Sequence, residues 1–579
     1  MIFQALVSLY ERLPQADFPD HDGVPPFGFS VEDIGFVVTI DKDGNMIGQP
    51  EDLRVKINTN TYHFQQSVVP YTNQVNVRSS GAANTPNFMV DKVEYIFGMS
   101  GTSERKVHNE SFKALVDEVC GDSTDEGVVA VRAFLARWQP QKSVELRDWK
   151  EMSGAHGKWV SFRLWGDRGF VHERPALKKL WQEFLTKKEY PKGVSFLDGS
   201  IHPLQTQYAQ FKFGSGASLV SFNEDAYESY GKKRGENAPI AVDAEFKSSA
   251  ALKYLLRSRT QRIKIGDATT VFWAEQASPV EPFFGQVMDP AQQDQAAGEQ
   301  VRKFLEAVRA GQLPNDIERD RDINFYILGL ALNKARLALR FWHVCSVGTL
   351  MERLQDHFGN LEMERSDKDI EFPGVWHLLK ETARETKDIS PVLGGALTRS
   401  ILTGGRYPQS LFQGVIGRIR ADQSKKHPTT GKSVPNVNYL RAAILKAVLQ
   451  RNYNKEVPMS LDTERRETAY LLGRLFAVLE KAQLDALGKV NATIKDRFFS
   501  AASATPASVF PKLLRLSQHH IEKAEYGHVS DRRIAEIMEH VDSFPAHMNL
   551  QDQGLFAIAY YQQKNALYRK NESKAKGEE

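Results

Sequence analysis

Cysteine is nearly absent: Cys120 and Cys345 are the only two in 579 residues. They are too few and too far apart for a disulfide framework or a thiolate zinc site. No apolar run is long enough to cross a bilayer. The opening MIFQALVSLYERLPQADF sets acidic and polar residues where a secretory leader would be apolar, so a cytoplasmic protein with no membrane partner is expected. No internal repeat and no long low-complexity segment is visible. Acidic residues are scarce in one place, since Asp422 is the only one between Arg399 and Arg451.

Catalytic signatures are also lacking. His172-Glu173-Arg174-Pro175 starts like a helical zinc motif, but it has no second His four residues on and Pro175 would break the helix. Thr430-Gly431-Lys432-Ser433 ends like a phosphate loop, yet Lys426 stands where its leading Gly belongs. Gly214-Ser215-Gly216-Ala217-Ser218-Leu219 lacks the third Gly of a dinucleotide fingerprint. His519 and His520 are adjacent, so on a helix they point about 100° apart and cannot readily share a metal. No cofactor, no metal and no enzymatic activity are expected.

A chain of this length exceeds one core, and two to four domains are expected. The fold class is α+β, with a mixed α/β N-terminal region followed by a C-terminal α-helical bundle. GFVVTIDKDGNMIG alternates around Asp43-Gly44 and predicts a hairpin; KWVSFRLWGDRGFVHERP predicts a second one around Gly166 to Gly169. TTVFWAE reads as a buried strand and residues 127–138 as a helix. NFYILGLALNKARLALRFWHV reads as strand, loop, strand. In the C-terminal part, Leu471, Leu475, Val478, Leu479 and Ala482 form one apolar stripe. Ile534, Ile537, Met538 and Val541 form a second, and Leu555, Phe556, Ala559 and Tyr560 a third. Ser530 and Asn549 sit at expected N-caps. The expected divisions are 1–275, 276–395, 396–458, a bundle at 459–569 and a disordered polar tail at 570–579.

Two stretches carry an interaction signal. Residues 1–52 hold ten acidic groups against Arg12 and Lys42. Between Arg399 and Arg451 ten basic residues face Asp422: Arg399, Arg406, Arg418, Arg420, Lys425, Lys426, Lys432, Arg441, Lys446 and Arg451. Such a block is the electrostatic footprint of a polyanion. The second stretch is VPYTNQVNVRSSGAANTPNF, Val69 to Phe88, dense in amides, with one Arg and no Asp, Glu or Lys. Amides hydrogen-bond base edges without repelling phosphates, and they suit the degenerate acceptors of a minor groove.

Four long segments together carry a family likeness. GSGASLVSFNEDAYESYGKKRGENAPI and IGDATTVFWAE resemble hallmark segments of the large subunit of type I-C CRISPR Cascade. FPAHMNLQDQGLFAIAYYQQ resembles its Phe-Pro, Asp-Gln-Gly and Tyr-Tyr signature. The amide-rich stretch resembles its Val-Pro, Arg-Thr-Ser-Gly, Pro-Asn-Phe pattern, running on to Tyr95 and Gly98. The likeness keeps the same order over nearly the whole chain. Arg78-Ser79-Ser80-Gly81 departs from Arg-Thr-Ser-Gly while keeping the hydroxyl, Lys232-Lys233-Arg234 is more basic than the usual Lys-Glu-Gln, and Ala559 replaces a usual Gly.

The resemblance implies a non-catalytic role in RNA-guided DNA surveillance. The implied partners are crRNA, target double-stranded DNA, the Cascade backbone and crRNA-processing subunits, a small subunit and a separate helicase-nuclease. In this logic base pairing reads the sequence, and the protein reads a short flanking motif, the PAM, and starts unwinding. The PAM-reading candidates are Asn73, Gln74, Asn76, Arg78, Ser79, Ser80 and Asn84. Candidates for nucleic-acid backbone are Lys232, Lys233 and Arg234, together with Arg399, Arg406, Arg418, Arg420, Lys425, Lys426 and Lys432. In the first of these segments Phe211, Phe213, Phe222, Tyr227 and Tyr230 also read as core and turn packing. On this reading 1–275 senses the PAM and 396–458 contacts DNA. Lys455-Glu456 can be encoded by a purine-rich ribosome-binding sequence just before Met459, so 459–579 is expected to exist also as an independent small subunit. The alternatives are a metal-dependent nuclease whose carboxylates converge in space, and a scaffold without direct DNA contact.

Overall fold

The computed structural model describes residues 2–16, 23–58, 61–72, 85–154, 157–211, 217–222, 224–288, 295–311, 315–334, 336–426, 434–488 and 490–575. It is α+β, with a mixed α/β N-terminal region and a helical C-terminal region. Two compact units are present: Met1–Ser258 with Leu332–Ala338, and Arg259–Ala331 with Leu339–Glu579. Among the described residues no helix is long and apolar enough to cross a membrane.

The first unit is organised by the strand Phe29–Ile40, which is buried along nearly its whole length. Its first half pairs antiparallel with Gln65–Pro70, from Phe29 opposite Pro70 to Ile34 opposite Gln65. Its second half pairs parallel with Trp159–Leu164, from Phe36 opposite Val160 to Ile40 opposite Leu164. A parallel partner requires a crossover, and the chain between the two strands contains the helices Lys106–Cys120 and Glu126–Arg137. The register slips between Ile34 and Phe36, at Gly35. A Cβ on Gly35 would lie 2.0 Å from the Gly157 carbonyl oxygen, so only glycine fits this bulge.

The bulge has a consequence for every side chain around it. Strand residues alternate faces, and one extra residue inverts the alternation. Before the bulge Phe29 and Val31 enter the main core; after it Phe36, Val38 and Ile40 do so, although the parity has changed. The opposite face receives Ile34 and then Val37, which pack with Val69, Val90 and Phe170. Both faces are therefore buried, as expected of a central strand, with Ser30 bonded to Glu32 on the second face before the bulge.

The Asp43-Gly44 turn forms as predicted: Asp41 accepts from the backbone N–H of Asp43 (3.0 Å) and Asn45 (2.8 Å), and Gly44 takes φ +80°. The returning limb begins with a bridge of Met46 to Ile40 and continues as the short strand Glu51–Asp52, antiparallel to Phe36 and Val37, so the hairpin forms with a broken return strand. The second expected hairpin does not form. After Trp159–Leu164 the chain makes a 3-10 turn at Val171–Glu173 and enters the helix Pro175–Thr186. Pro175 occupies the first helical turn, where its missing N–H costs nothing, and Arg174 is held by Asp125 (3.0 Å) and Asp167 (2.6 Å).

In the second unit Ala268–Ala274 runs antiparallel to Arg262–Ile265 and to Asn324–Asn333, with Arg336–Ser346 next in the sheet. The predicted TTVFWAE strand is thus present and buried from Val271 to Ala274. The helix Thr468–Leu487 is buried around most of its circumference, including Tyr470, Leu472 and Phe476 outside the predicted stripe. It is a central helix rather than an amphipathic surface one. It meets Leu550–Ala575 closely: a Cβ on Gly473 would fall 2.3 Å from the Phe556 carbonyl oxygen and 2.8 Å from the Ala559 methyl.

Polar groups lock this helix pair. The Tyr560 hydroxyl donates to Glu480 (2.6 Å), which also accepts from Lys564 (3.1 Å). Tyr470 donates to Gln562 (2.6 Å), and Arg474 donates to Gln563 (3.1 Å). Burial, reinforced by the Glu480 carboxylate, pushes the Tyr560 hydroxyl pKa up, so it stays a donor. Asn549 caps its helix by accepting from the Asp552 N–H (3.0 Å). Ser530 does not cap, because Gly527–Met538 already includes it. The last helix runs to Ala575, into the polar stretch 570–579.

Replacing Gly35 with Ala is expected to cost the first unit about 3 kcal/mol, because the clash is with backbone and cannot be relieved by a rotamer. Hydrogen exchange would read this as lost protection in Phe29–Ile40 and Trp159–Leu164 with unchanged protection in Thr468–Leu487. Unchanged exchange in both strands would refute the role given to the bulge.

Candidate nucleic-acid interface

All seven PAM-reading candidates, Asn73 to Asn84, lie outside the described residues. The chain entering and leaving that stretch is described, and its incoming side bonds the Gly28 carbonyl directly while its outgoing side reaches it through Trp181. On the incoming side the Tyr71 N–H donates to the Gly28 oxygen (2.8 Å). On the outgoing side Phe88 stacks on Trp181 with ring centroids 5.4 Å apart, and the Trp181 indole N–H donates to the same Gly28 oxygen (2.7 Å). Gly28 takes φ +83°, and a Cβ there would strike Leu185.

Asp91 secures the outgoing side further. Its buried carboxylate accepts from the N–H of Asn87 (2.6 Å) and of Lys92 (2.7 Å). The Asp91 backbone bridges Val160 of the parallel strand. The Lys253 ammonium sits 4.3 Å over the Tyr71 ring. Sequence reasoning had no means to find Gly28 or Trp181, which meet the stretch only through space.

Within the first unit, Lys232, Lys233 and Arg234 are all exposed. They follow a tight turn, Ser229 to Lys232, closed by the Lys232 N–H donating to the Ser229 carbonyl (3.0 Å). Residues 212–216, Phe213 among them, lie outside the described residues, whereas Phe211 is buried as expected. Tyr227 and Tyr230 do not belong to the core: both are exposed. The turn is too short for a side chain at its tip to fold back.

In the second unit the basic block divides. Arg441 and Lys446 are buried structural groups. Arg441 pairs with Asp422 (2.7 Å) and Glu381 (2.7 Å). Lys446 donates to the carbonyls of Gly359 (3.3 Å) and Asn360 (3.1 Å) near the end of helix Val347–Leu361. Burial brings its pKa down to about 8. Arg418 is paired with Asp422 and Arg420 bonds Gln553. Arg399, Arg406, Lys425 and Lys426 are exposed, and Lys432 lies outside the described residues. Arg406 and Lys425 flank the helix Gln409–Ala421, which spaces them by roughly 20 Å.

Around Thr403 to Tyr407 further guanidiniums converge on the GGRYPQ loop. Arg353 approaches so closely beneath Gly404 that a Cβ there would lie 2.6 Å from its Nη1. Arg451 lies 4.3 Å over the Tyr407 ring and donates to the Ser400 carbonyl (3.3 Å). The loop is thus backed by fixed positive charge while Arg406 projects outward. Arg353 carries no sequence signal of this role.

His172 and Glu173, which begin like a metal motif in the sequence, are buried cross-links. Ser67 donates to Glu173 (2.7 Å), so His172 Nε2–H must donate to Ser67 (2.8 Å) and Nδ1 accepts from Ser161 (2.9 Å). The residue types are those of a hydrolytic triad, but Ser67 is sealed and the carboxylate bonds the Ser instead of orienting the imidazole. Elsewhere Glu362, Glu364, Asp367 and Glu371 line a cavity of about 360 Å³. Glu371 there is met by Arg365 (2.9 Å), Arg309 (3.3 Å) and Arg302 (3.6 Å). Among the described residues no group of three His, Cys, Asp or Glu is placed to hold a metal ion.

The described residues define a class: an α+β protein with exposed cations on loops and turns and with the chain held in place on either side of residues 73–84. The family described as CRISPR-associated protein (Cas_Csd1) has a model that matches residues 6–568. The chain belongs to that family and is a CRISPR Cascade subunit. A comparison with curated proteins finds no match.

His357 is buried beside the GGRYPQ loop and bonds Tyr407 (2.8 Å). Burial, with the Arg451 charge adding to it, lowers its pKa from 6.5 to about 3. The unfolded chain therefore takes up a proton below pH 6.5 that the folded chain refuses. Stability of the second unit is expected to be full above that pH and to fall by about 1.4 kcal/mol per pH unit below it, down towards pH 3. Unfolding titrations of wild type and His357→Gln between pH 7 and 4 check this, the variant showing a shallower slope.

Proposed function

We propose that this chain is the non-catalytic large subunit of a type I-C Cascade. It reads the PAM in duplex DNA, promotes crRNA-guided unwinding into an R-loop, and recruits a separate helicase-nuclease for antiviral defence in the cytoplasm. The observation that carries this reading is how the chain is held on either side of the amide-rich stretch 73–84: Tyr71 bonds the Gly28 carbonyl, and Phe88 stacks on Trp181, whose indole bonds the same carbonyl. Amide side chains on a fixed base can hold a register on base edges that a free loop could not. Asn73, Gln74, Asn76, Arg78, Ser79, Ser80 and Asn84 are the groups assigned to that task.

Backbone contacts fall to the exposed cations. In the first unit these are Lys232, Lys233 and Arg234; in the second, Arg399, Arg406, Lys425 and Lys426, with Lys432 on the adjoining stretch. Arg418 and Arg420 contribute to shaping the helix they stand on and only secondarily to charge, since both already have partners. The partners proposed are crRNA, the target duplex, the backbone and crRNA-processing subunits and a small subunit.

For the small subunit the product 459–579 remains the proposal. In the full chain the Tyr561 hydroxyl donates to the Glu364 carbonyl (2.9 Å), and the Glu364 N–H donates to the Met459 carbonyl (2.9 Å). Gly554 faces Phe412 and Leu445. A separate copy of 459–579 would expose the surface that Phe412 and Leu445 cover, so it requires a subunit surface in exchange. The rival nuclease reading finds little support at Glu371, whose carboxylate is met by Arg302, Arg309 and Arg365.

The assembled crRNA complex can be bound to a target library with randomised flanks. The Asn73→Ala/Asn76→Ala/Arg78→Ala variant is expected to lose flank preference while assembling normally; an unchanged preference would make the stretch structural. In a second measurement Arg406→Gln/Lys425→Gln/Lys426→Gln is expected to flatten the salt dependence of DNA binding, by about 0.9 in logarithmic slope for each phosphate no longer neutralised, with the preferred flank unaltered.

A further inference from the structure

Tyr230 is 98% exposed, the most exposed large hydrophobic side chain among the described residues. It also takes φ +52°, followed by Gly231 at φ +69°. Two consecutive positive φ values across a closed four-residue turn define the type I′ geometry, which favours Asn, Asp or Gly at its first central position. A Tyr there is strained, and such strain persists only where the surroundings impose it.

Asn237 imposes it. Its side-chain oxygen accepts from the Ser229 N–H (3.1 Å), and its amide donates to the carbonyls of Lys232 (2.9 Å) and Arg234 (3.1 Å). Glu236 accepts from the Lys233 N–H (2.9 Å). One side chain thus holds both limbs of the turn, and Arg234 takes φ +46° within the same clamp. The backbone is fixed in a costly conformation whose result is a bare aromatic ring at the tip.

The ring's neighbours in sequence supply the complementary chemistry. Among the described residues no carboxylate pairs with Lys232, Lys233 or Arg234, all of which are exposed. Arg336 stacks 4.2 Å over Tyr227, another exposed ring of the same segment. A π-face beside unpaired cations matches one ligand class, single-stranded nucleic acid, whose bases offer open faces and whose phosphates offer charge. In an intact duplex the base faces are already covered.

We propose that Tyr230 stacks on an unpaired nucleobase while Lys232, Lys233 and Arg234 hold the adjoining phosphates. This rests on the nucleic-acid reading above and adds to it the strand state and the aromatic contact. The pre-formed turn lowers the ordering cost of the contact, as preorganised sites do.

The full chain can be titrated with a single-stranded DNA, an RNA of the same sequence and a blunt duplex, each carrying 2-aminopurine as a stacking reporter. Wild type and Tyr230→Phe are expected to bind the single strands alike and quench the reporter. Tyr230→Gly, which suits the positive φ and so keeps the turn folded, is expected to weaken single-strand binding about ten-fold and to abolish the quench, with duplex binding unchanged. The DNA and RNA arms show which strand the site takes. Lys232→Glu/Lys233→Glu reads the phosphate contacts separately. If the charge reversal weakens binding and Tyr230→Gly does not, the stacking contact is overturned and the wider reading stands. If neither variant changes binding, or wild type binds no single strand, nucleic-acid recognition at this turn is overturned altogether.

Discussion

The central strand of the first unit depends on the bulge at Gly35. A twelve-residue central strand must serve two faces of side chains, antiparallel neighbours at Gln65–Pro70 and Glu51–Asp52, and one parallel neighbour. Without the extra residue the alternation that buries Phe29 and Val31 would turn Phe36, Val38 and Ile40 away from the main core. The slip keeps aromatic and branched residues of both halves on the same side. The cost is an absolute demand for glycine, because the Gly157 carbonyl fills the space where a methyl would stand. Everything anchored to this strand, including the ends of the amide-rich stretch, inherits its position from that bulge.

Polar groups set the geometry that burial alone would leave loose. The Gly28 carbonyl takes one donor from Tyr71 and one from the Trp181 indole on which Phe88 stacks, and Asn237 bonds both limbs of one turn. In the helical region the Tyr-Tyr-Gln-Gln run, Tyr560 to Gln563, is a set of interior hydrogen bonds to Glu480, Glu364, Tyr470 and Arg474. Directional bonds of this kind select one helix register, and leaving any partner unmatched in the interior is expensive. The signature at the C-terminal end of this chain is accordingly architectural, while the chemistry directed outward sits in loops and turns.

Charge shows the same division. Ten basic residues between Arg399 and Arg451 look uniform in one dimension, but a helical repeat sends some inward. Arg441 and Lys446 hold carboxylates and helix-end carbonyls inside the second unit, Arg418 and Arg420 are engaged at its edge, and four others face out. The outward-facing charge is smaller than the count, and Arg353, from outside the block, approaches the GGRYPQ loop through the fold.

Composition and pattern by themselves determined the α+β class, the buried TTVFWAE strand, the 127–138 helix and the family, since each rests on local periodicity or on long ordered motifs. They also marked the Asp43-Gly44 turn, whose bonds are local. Tertiary structure alone decided the rest. Trp159–Leu164 became a parallel strand and not half of a hairpin, because its partner lies more than a hundred residues away and Pro175 starts a helix where the return limb was expected. Thr468–Leu487 became a central helix because neighbours cover the face opposite its stripe. Tyr230 became an exposed ring because Asn237, seven residues on, holds its turn in a left-handed conformation that aromatic content would not foretell. Side-chain type reports what a residue can bury or bond; only the assembled neighbours decide whether it does.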